Sequence, residues 1–254
     1  MSTRLFVSEA LGNGREIVLV GDRARYLGRV LRLATGDEIR VFNGDDGEWS
    51  AHVSAFGKDR VTIVLGAAIP NDAESHLRMH LVQGVSRGDR MDFVVQKATE
   101  LGIKRITPVL AAHGVVKLDG RRAANRREHW QRVAESACEQ CGRIRPPLID
   151  PPIELNAWLG TGPSRDSTQL ILAPGARTPL QAVGAVAEKL CLLIGPEGGF
   201  SERECEDAAV AGFAPVSLGP RVMRTETAAV AALAVAQSLW GDLANSPESL
   251  RPGS

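Results

Sequence analysis

The sequence predicts an α/β protein in which a small β unit precedes a mostly parallel sheet with helices on both faces. Up to about residue 70, short runs of alternating polarity are separated by turn-forming stretches such as residues 43–47, which is typical of antiparallel strands. From residue 76 onward, apolar strand-like runs alternate with helical periodicity, which indicates parallel βα units. The composition, 44% hydrophobic and 24% charged over 254 residues, excludes a disordered, collagen-like or coiled-coil chain.

The N-terminal unit contains strand-like runs at residues 17–20, 38–42 and 61–65. Because turns separate these period-two runs, we expect an antiparallel unit that closes into a small barrel. One helix, from about residue 23 to residue 33, interrupts the strands. Residues 69–72 are expected to form the linker that ends the unit.

The second part of the chain contains five predicted strands, at residues 79–85, 106–110, 169–173, 190–194 and 216–218. A helix over residues 91–101 is closed by Gly102 as a C-terminal cap. A longer helix carries apolar side chains at spacings of three and four, which places them on one face. These side chains belong to Trp130, Val133, Ala134, Ala137, Cys138 and Cys141.

Charge and apolar runs constrain the partners and the compartment. Thirty basic and thirty acidic residues cancel, so the net charge gives no sign of a nucleic-acid partner. Residues 1–9 lack the apolar stretch of a signal peptide. The longest apolar run, residues 227–240, is shorter than the roughly 20 residues of a membrane span. We therefore expect a cytoplasmic protein that does not bind a membrane.

Glycine and proline follow the last three predicted strands, at residues 172–175, 194–199 and 218–221. Ligands of open α/β sheets bind outside the carboxyl ends of the strands, and glycine lets a ligand approach the backbone closely. An ordinary turn is the alternative for any single loop. Three such loops at one edge predict a small-molecule site.

The second loop is followed by a capping box, Ser201 to Glu204, which predicts the start of a helix. A glycine loop before a helix can bind phosphate. However, no Lys follows the loop as in a Walker motif, and no Gly-x-Gly-x-x-Gly follows the first strand, which argues against an NTPase or a dinucleotide enzyme.

The third loop continues through Arg224 and Thr225 into an Ala-rich helix at residues 228–239. We predict Thr225 as the N-cap of this helix and Arg224 at the end of the loop, facing the strand ends. A surface arginine is the alternative for Arg224. The small side chains of the helix predict close packing on another helix, within the chain or across a dimer.

Arginine is clustered locally. Arg25, Arg29 and Arg32 share one face of the predicted N-terminal helix, and a second cluster lies at residues 121–132. Arginines at helical spacing can pair with backbone phosphates, although a solvated face is the alternative. The Cys138-x-x-Cys141 pair has no second ligand pair to complete a zinc site, so packing is the expected role and no metal is expected.

Two segments, residues 193–201 and 218–228, closely resemble the RsmE family of bacterial 16S ribosomal RNA uridine N3-methyltransferases, which belong to the SPOUT class. They read Leu-Ile-Gly-Pro-Glu-Gly-Gly-Phe-Ser and Leu-Gly-Pro-Arg-Val-Met-Arg-Thr-Glu-Thr-Ala. Residues 96–102 and 139–143 also match the family pattern, and the likeness spans nearly the whole chain. One departure is residues 111–113, Ala-Ala-His, where family members often carry Ser-Glu-Arg.

The resemblance implies that residues 1–72 form a PUA-like β-barrel, which helps to hold RNA. It further implies a SPOUT domain with a C-terminal trefoil knot, a rare exception to unknotted folding, over residues 73–245. Residues 246–254 are expected to be a flexible tail. A homodimer, with 16S rRNA of the small ribosomal subunit as substrate, is also implied.

The resemblance implies S-adenosylmethionine as cofactor, held by the strand-end loops. The RNA-binding candidates are Arg4, Arg25, Arg29, Arg32 and Arg143. The cofactor-binding candidates are Leu172, Ala173, Pro174, Ile194, Gly195, Glu197, Gly198, Gly199, Leu218, Gly219, Val222, Met223 and Thr225.

The catalytic candidates are Arg224, Glu197 and Glu226. Uridine N3 lies on the Watson–Crick edge, so the base must be unpaired or splayed out. Arg224 could stabilise negative charge on the uracil oxygens, and one of the two carboxylates could assist removal of the N3 proton, although both could be structural. A SPOUT methyltransferase acting on another RNA and a non-catalytic RNA-binding protein remain the alternatives.

Overall fold

The computed structural model describes residues 3–114, 120–161, 164 and 166–244. The chain divides into two compact units, one of Met1–Glu74 with Glu135–Pro146 and one of Ser75–Ala134 with Pro147–Ser254. The N-terminal unit thus includes a second segment that a single division at residue 72 leaves out. The tail predicted at residues 246–254 lies outside the described residues.

The N-terminal unit is a five-stranded sheet in the order β1-β3-β4-β5-β2. Alternate side chains from every strand enclose one apolar core that includes Leu5, Ile17, Ile39, Val53 and Ile63, as period-two patterning requires. The strands are β1 (Thr3–Phe6), β2 (Glu16–Val20), β3 (Glu38–Phe42), β4 (Glu48–Phe56) and β5 (Arg60–Ile69).

The predicted strands of this unit pair antiparallel, as expected, whereas β1, which was not predicted, pairs in parallel with β3. Parallel neighbours need a crossover connection, and the intervening chain, which contains β2, supplies it. The remaining pairings of this sheet are antiparallel.

The helix predicted at residues 23–33 is wrong in its extent. The α-helical turn α1 (Asp22–Arg25) gives way to a π-helical turn over Tyr26–Val30, and Arg32 has a φ of +54°. A side chain at Gly28 would bring its Cβ within 3.3 Å of Phe56, so this turn combines a weak helix former with a close contact. The α-helical spacing that placed Arg25, Arg29 and Arg32 on one face therefore does not apply.

The C-terminal unit contains a seven-stranded sheet whose pairings are parallel, which confirms the predicted fold class. The order is β12-β10-β11-β6-β7-β8, with β9 also paired to β7. The two-residue strands β8 and β9 were not predicted, because two residues show no periodicity. The strands are β6 (Arg78–Gly84), β7 (Arg105–Leu110), β8 (Leu148–Ile149), β9 (Ile153–Glu154), β10 (Thr168–Leu172), β11 (Lys189–Ile194) and β12 (Ala214–Val216).

Neighbouring residues of the central strands enter separate cores on the two faces of this sheet. Leu81 and Leu192 pack with Ala229 of the last helix, whereas Val82 and Leu193 pack in the opposite core. The helices that cover the sheet are α2 (Arg90–Glu100), α3 (Gly120–Cys141), α4 (Leu155–Gly160), α5 (Glu202–Val210) and α6 (Thr225–Trp240).

Helix α3 buries the face predicted for it, with Trp130, Ala134 and Cys138 at most 2% exposed. Cys138 packs with Phe42 and Ile144, as the packing interpretation of the cysteines predicts. Within the described ranges, no helix is long and apolar enough to cross a membrane, and no group of three or more His, Cys, Asp or Glu residues could hold a metal.

Candidate functional site

A cleft of about 820 Å³ lies at the carboxyl ends of β10, β11 and β12. Its walls are the loops that follow these three strands, together with the start of α6. The sequence predicted that these loops gather at one edge, and the structure confirms it, because the strands are parallel and their carboxyl ends face the same side.

Every residue proposed above to bind the cofactor lines this cleft, and so do Arg224, Glu197 and Glu226. Seven further residues of the described ranges line the cleft and were not among the cofactor or catalytic candidates. These are Arg90, Pro196, Phe200, Cys205, Ser217, Arg221 and Ala228.

Thr225 ties two walls of the cleft together. Its hydroxyl donates to the carbonyl oxygen of Gly195 at 2.6 Å and accepts a hydrogen bond from Nε2 of the buried Gln83 at 2.9 Å. The prediction that Thr225 is the N-cap is wrong, since Arg224 occupies that position with extended backbone and Thr225 is the first helical residue. Its hydroxyl holds the loop after β11 instead of the end of its own helix.

Two glycines of the site are required by close backbone approach. A Cβ at Gly84, at the end of β6, would lie 2.3 Å from the backbone nitrogen of Pro196, and one at Gly198 would lie 2.8 Å from the carbonyl oxygen of His113. No real Cβ tolerates such distances, so these glycines let the neighbouring segments touch. His113 Nδ1 also lies 3.3 Å from the Gly198 carbonyl oxygen, so the divergent segment at residues 111–113 packs against the glycine loop.

The capping box predicted at the start of α5 is confirmed. The Ser201 hydroxyl accepts from the backbone N–H of Glu204, and the Glu204 carboxylate accepts from the backbone N–H of Ser201 at 2.8 Å. The second carboxylate oxygen of Glu204 accepts from the backbone N–H of Ala112, also at 2.8 Å. The loop after β11 therefore ends at a fixed helix terminus.

Glu197 is held by donors from the segment that follows β6. The backbone N–H of Arg87 donates to its Oε1 at 3.1 Å, and Arg90 Nη1 donates to the same oxygen at 2.5 Å. Partial burial opposes ionisation, but hydrogen bonds from the backbone N–H groups of Glu197 and Arg87 and from Arg90 outweigh it and lower the pKa of the Glu197 carboxyl. Glu197 is therefore ionised, and its carboxylate is engaged by Arg87 and Arg90.

Glu226, on the first turn of α6, is held more loosely. Its Oε1 lies 3.7 Å from Arg90 Nε, which is ion-pair distance and not hydrogen-bond distance. Its Oε2 is buried and has no hydrogen-bond partner among the described residues. Buried carboxylate oxygens are normally satisfied, so this oxygen lacks the donor that its burial calls for.

Arg224 is exposed at the cleft. In the described part of the chain, its guanidinium makes no hydrogen bond or ion pair. It therefore differs from Arg90, whose charge is balanced by carboxylates.

The arginines proposed for RNA contact fall into two groups, both in the N-terminal unit. Arg25, Arg29 and Arg32 are exposed. Arg4 pairs with the buried Glu48 at 2.7 Å, and Arg143 is 3% exposed and pairs with Glu74 at 3.0 Å. Both guanidinium groups are engaged by carboxylates inside the N-terminal unit, so we leave Arg4 and Arg143 out of the RNA contact proposed below.

The comparisons with known proteins point to one family. The RNA methyltransferase domain matches residues 73–237, and the RNA methyltransferase PUA domain matches residues 19–66. Ribosomal RNA small subunit methyltransferase E of Buchnera aphidicola subsp. Acyrthosiphon pisum is 30% identical over 94% of each chain, and the Bacillus subtilis protein of that name is 28% identical over 85% of this chain and 87% of its own.

Two solved structures are similar over nearly the whole chain. A methyltransferase structure from Legionella pneumophila with bound S-adenosylmethionine has a TM-score of 0.91 and 35% identity, covering 96% of this chain and 100% of its own. Ribosomal RNA small subunit methyltransferase E from Neisseria gonorrhoeae, bound to S-adenosylmethionine, has a TM-score of 0.88 and 37% identity at the same coverage. Together with the domain match over more than half of the sequence, these likenesses show that the chain belongs to the ribosomal RNA small subunit methyltransferase E family.

Proposed function

We propose that this protein transfers a methyl group from S-adenosylmethionine to N3 of one uridine in 16S rRNA of the small ribosomal subunit. The observation that carries the proposal is the cleft, whose walls include residues from both segments that carry the resemblance to the family. An enzyme that acts on ribosomal subunits works in the cytoplasm, and we assign this chain to that compartment.

The residues of the cleft fit S-adenosylmethionine. A volume of about 820 Å³ is within the range of small-molecule sites. Gly199 and Gly219 have φ values of +69° and +90° with open space around the Cβ position, so their backbone is uncovered. The Glu226 side chain also lines the cleft and adds a carboxylate acceptor for a cofactor or substrate N–H group.

When bound, S-adenosylmethionine supplies a methyl group that is already activated on a sulfonium. We assign its apolar contacts to Leu172, Ile194, Leu218 and Met223. Backbone groups of the glycine loops hydrogen-bond its polar parts. The remaining contacts in this proposal are Ala173, Pro174, Gly195, Glu197, Gly198, Gly199, Gly219, Val222 and Thr225.

Arg224 is the residue we assign to the substrate base. Loss of the N3 proton puts negative charge on the uracil oxygens, and a cation fixed beside them stabilises that charge. Because the Arg224 guanidinium lies exposed at the cleft, it can meet a base that has left its stack. The helix start at α6 orients it from a backbone position that is anchored through Thr225.

Of the two carboxylates, we assign proton acceptance at uridine N3 to Glu226. Glu197 has a lowered pKa and is engaged by Arg87 and Arg90, so it is a poor base. We assign it to holding the loop after β11. Glu226 lines the cleft, and its Oε2 has no hydrogen-bond donor in the described ranges, so its carboxylate is less engaged than that of Glu197.

RNA contact in this proposal comes from the exposed Arg25, Arg29 and Arg32 of the N-terminal unit. Arginine binds phosphate oxygens with paired N–H donors. We also propose a homodimer. Its support is the resemblance to the family, because the buried alanines of α6 pack within this chain, where α6 contacts α2. The trefoil knot implied by the resemblance stays a prediction.

Transfer of labelled methyl from S-adenosylmethionine tests the function. The acceptors are small ribosomal subunits that lack their own uridine N3 methylation, with free 16S rRNA and transfer RNA in parallel. We expect incorporation into the subunit at N3 of one uridine. Incorporation only into transfer RNA would show a methyltransferase with a different RNA substrate. Binding of RNA without any incorporation would show a non-catalytic RNA-binding protein.

A further inference from the structure

Arg90 lies at the cleft although it belongs to none of the segments that identify the site in the sequence. It is the first residue of α2 and follows β6, the strand that pairs with β11 in the sheet. Its side chain is 42% exposed and lines the cleft. The strand pairing therefore brings a cation beside the glycine loop across more than a hundred residues of sequence.

One guanidinium faces two carboxylates from different elements. Arg90 Nη1 lies 2.5 Å from Glu197 Oε1, in the loop after β11. Arg90 Nε lies 3.7 Å from Glu226 Oε1, on α6. The same two elements are also joined by the Thr225 hydroxyl and the Gly195 carbonyl, so Arg90 provides a second and electrostatic link between them.

The two oxygens of the Glu226 carboxylate have different surroundings. Oε1 faces the positive charge of Arg90, while Oε2 is buried without a partner in the described part of the chain. Two negative carboxylates near one cleft repel each other, and a cation beside both removes that repulsion. Without Arg90, the orientation of Glu226 would have no charged partner to fix it among the described residues.

We propose that Arg90 is a positioning residue for methyl transfer, holding the Glu226 carboxylate at the cleft, with Glu197 as the anchor of the guanidinium. The proposal rests on the function proposed above and adds a residue to it. Arg90 acts through Glu226 and does not itself touch the reacting atoms.

The test uses Arg90→Gln, which removes the charge, and Arg90→Lys, which keeps it. Arg203→Gln is the matched control, since Arg203 is an exposed arginine on α5. Single-turnover transfer to undermethylated small subunits at saturating S-adenosylmethionine is expected to fall about 30-fold in Arg90→Gln. Arg90→Lys is expected to recover to within about 5-fold of the unsubstituted protein, and Arg203→Gln to match it.

Two further measurements separate positioning from general damage. The Kd for S-adenosylmethionine by calorimetry is expected to change less than about 3-fold, so that the loss appears in kcat. In a Glu226→Gln background, Arg90→Gln is expected to add less than about 3-fold, because residues that act through one another are not additive.

Each result decides the proposal. A kcat of Arg90→Gln equal to that of the unsubstituted protein, an equal loss in Kd, or a full additional loss in the Glu226→Gln background would overturn it. Where Arg90→Gln does not fold by circular dichroism, Arg90→Met, which also removes the charge, decides the same question in the two backgrounds. Absence of transfer by the unsubstituted protein would instead overturn the proposed function, which distinguishes the two failures.

Discussion

The arginines that the sequence marks as site candidates have different surroundings, as one pair in the N-terminal unit and one residue in the C-terminal unit illustrate. In the N-terminal unit, Arg4 and Arg143 face Glu48 and Glu74 inside the fold, and Arg4 also donates to the carbonyl oxygen of Cys138 at 2.6 Å. In the C-terminal unit, Arg224 lies exposed at the cleft. The surroundings of an arginine, and not its presence in a matching segment, therefore decide whether it stabilises the fold or meets a ligand.

The largest effect on stability is expected at Arg143. Substitution Arg143→Met leaves the Glu74 carboxylate, which also accepts backbone N–H groups of Ile144 and Arg145, without its main cation. Breaking a buried pair in this way costs about 3–5 kcal/mol. Urea unfolding followed by circular dichroism measures the loss.

The control for this prediction is Arg126→Met, at an exposed position of α3, which is expected to change the free energy of unfolding by less than about 0.5 kcal/mol. Equal stabilities of the two variants would contradict the internal role given to Arg143.

A smaller effect is expected from a buried polar chain in the C-terminal unit. His80 Nε2 lies 2.7 Å from Thr107 Oγ1, and Thr107 in turn hydrogen-bonds Asp150, which pairs with Arg105. Burial, and then the charge of Arg105, lower the pKa of His80 to about 4, against the opposing influence of Asp150. The folded protein therefore keeps His80 neutral at a pH where the unfolded chain has already protonated it.

Because the unfolded chain binds the extra proton, the free energy of unfolding is expected to fall as the pH drops from about 6.5 towards 4. Between pH 6.5 and pH 5 the His80 contribution is about 2 kcal/mol. His80→Gln, which keeps an N–H donor, is expected to lose this part of the pH dependence. His76→Gln, at an exposed position, is expected to keep it, and identical pH profiles of the two variants would refute the role of His80.

The smallest effect is expected at the exposed arginines of the N-terminal unit. Arg29→Gln should weaken binding to 16S rRNA by less than about 1 kcal/mol and reduce the salt dependence by about one released ion. Filter binding at several salt concentrations measures both quantities. Arg40→Gln, exposed on β3, serves for comparison, and an unchanged salt slope in Arg29→Gln would remove this surface from the proposed RNA contact.

The position of the cleft could be predicted from the sequence because local patterns mark the strand ends that form it. Gly and Pro after apolar runs marked the ends of β10, β11 and β12, and parallel strands bring such ends together. Arg90, which lines the cleft, and Gln83, which hydrogen-bonds Thr225, were missed because the pairing of β6 with β11 positions them, and no local pattern reports that pairing. The same limit explains Arg4 and Arg143, whose carboxylate partners lie 44 and 69 residues away.

The prediction of one helix over residues 23–33 failed for a different reason. Their spacing is compatible with an α-helix, but Gly28 sits against the Phe56 ring and the chain widens into a π-helical turn. Tertiary contact overrode local propensity there.

The assignment of Arg224 to the substrate base, and not to the cofactor, is tested most directly by one preparation of Arg224→Ala. Calorimetric titration with S-adenosylmethionine is expected to give a Kd within about 3-fold of that of the unsubstituted protein, while single-turnover methyl transfer to small subunits falls at least about 100-fold. Equal losses in cofactor binding and in transfer, or transfer at the original rate, would contradict it.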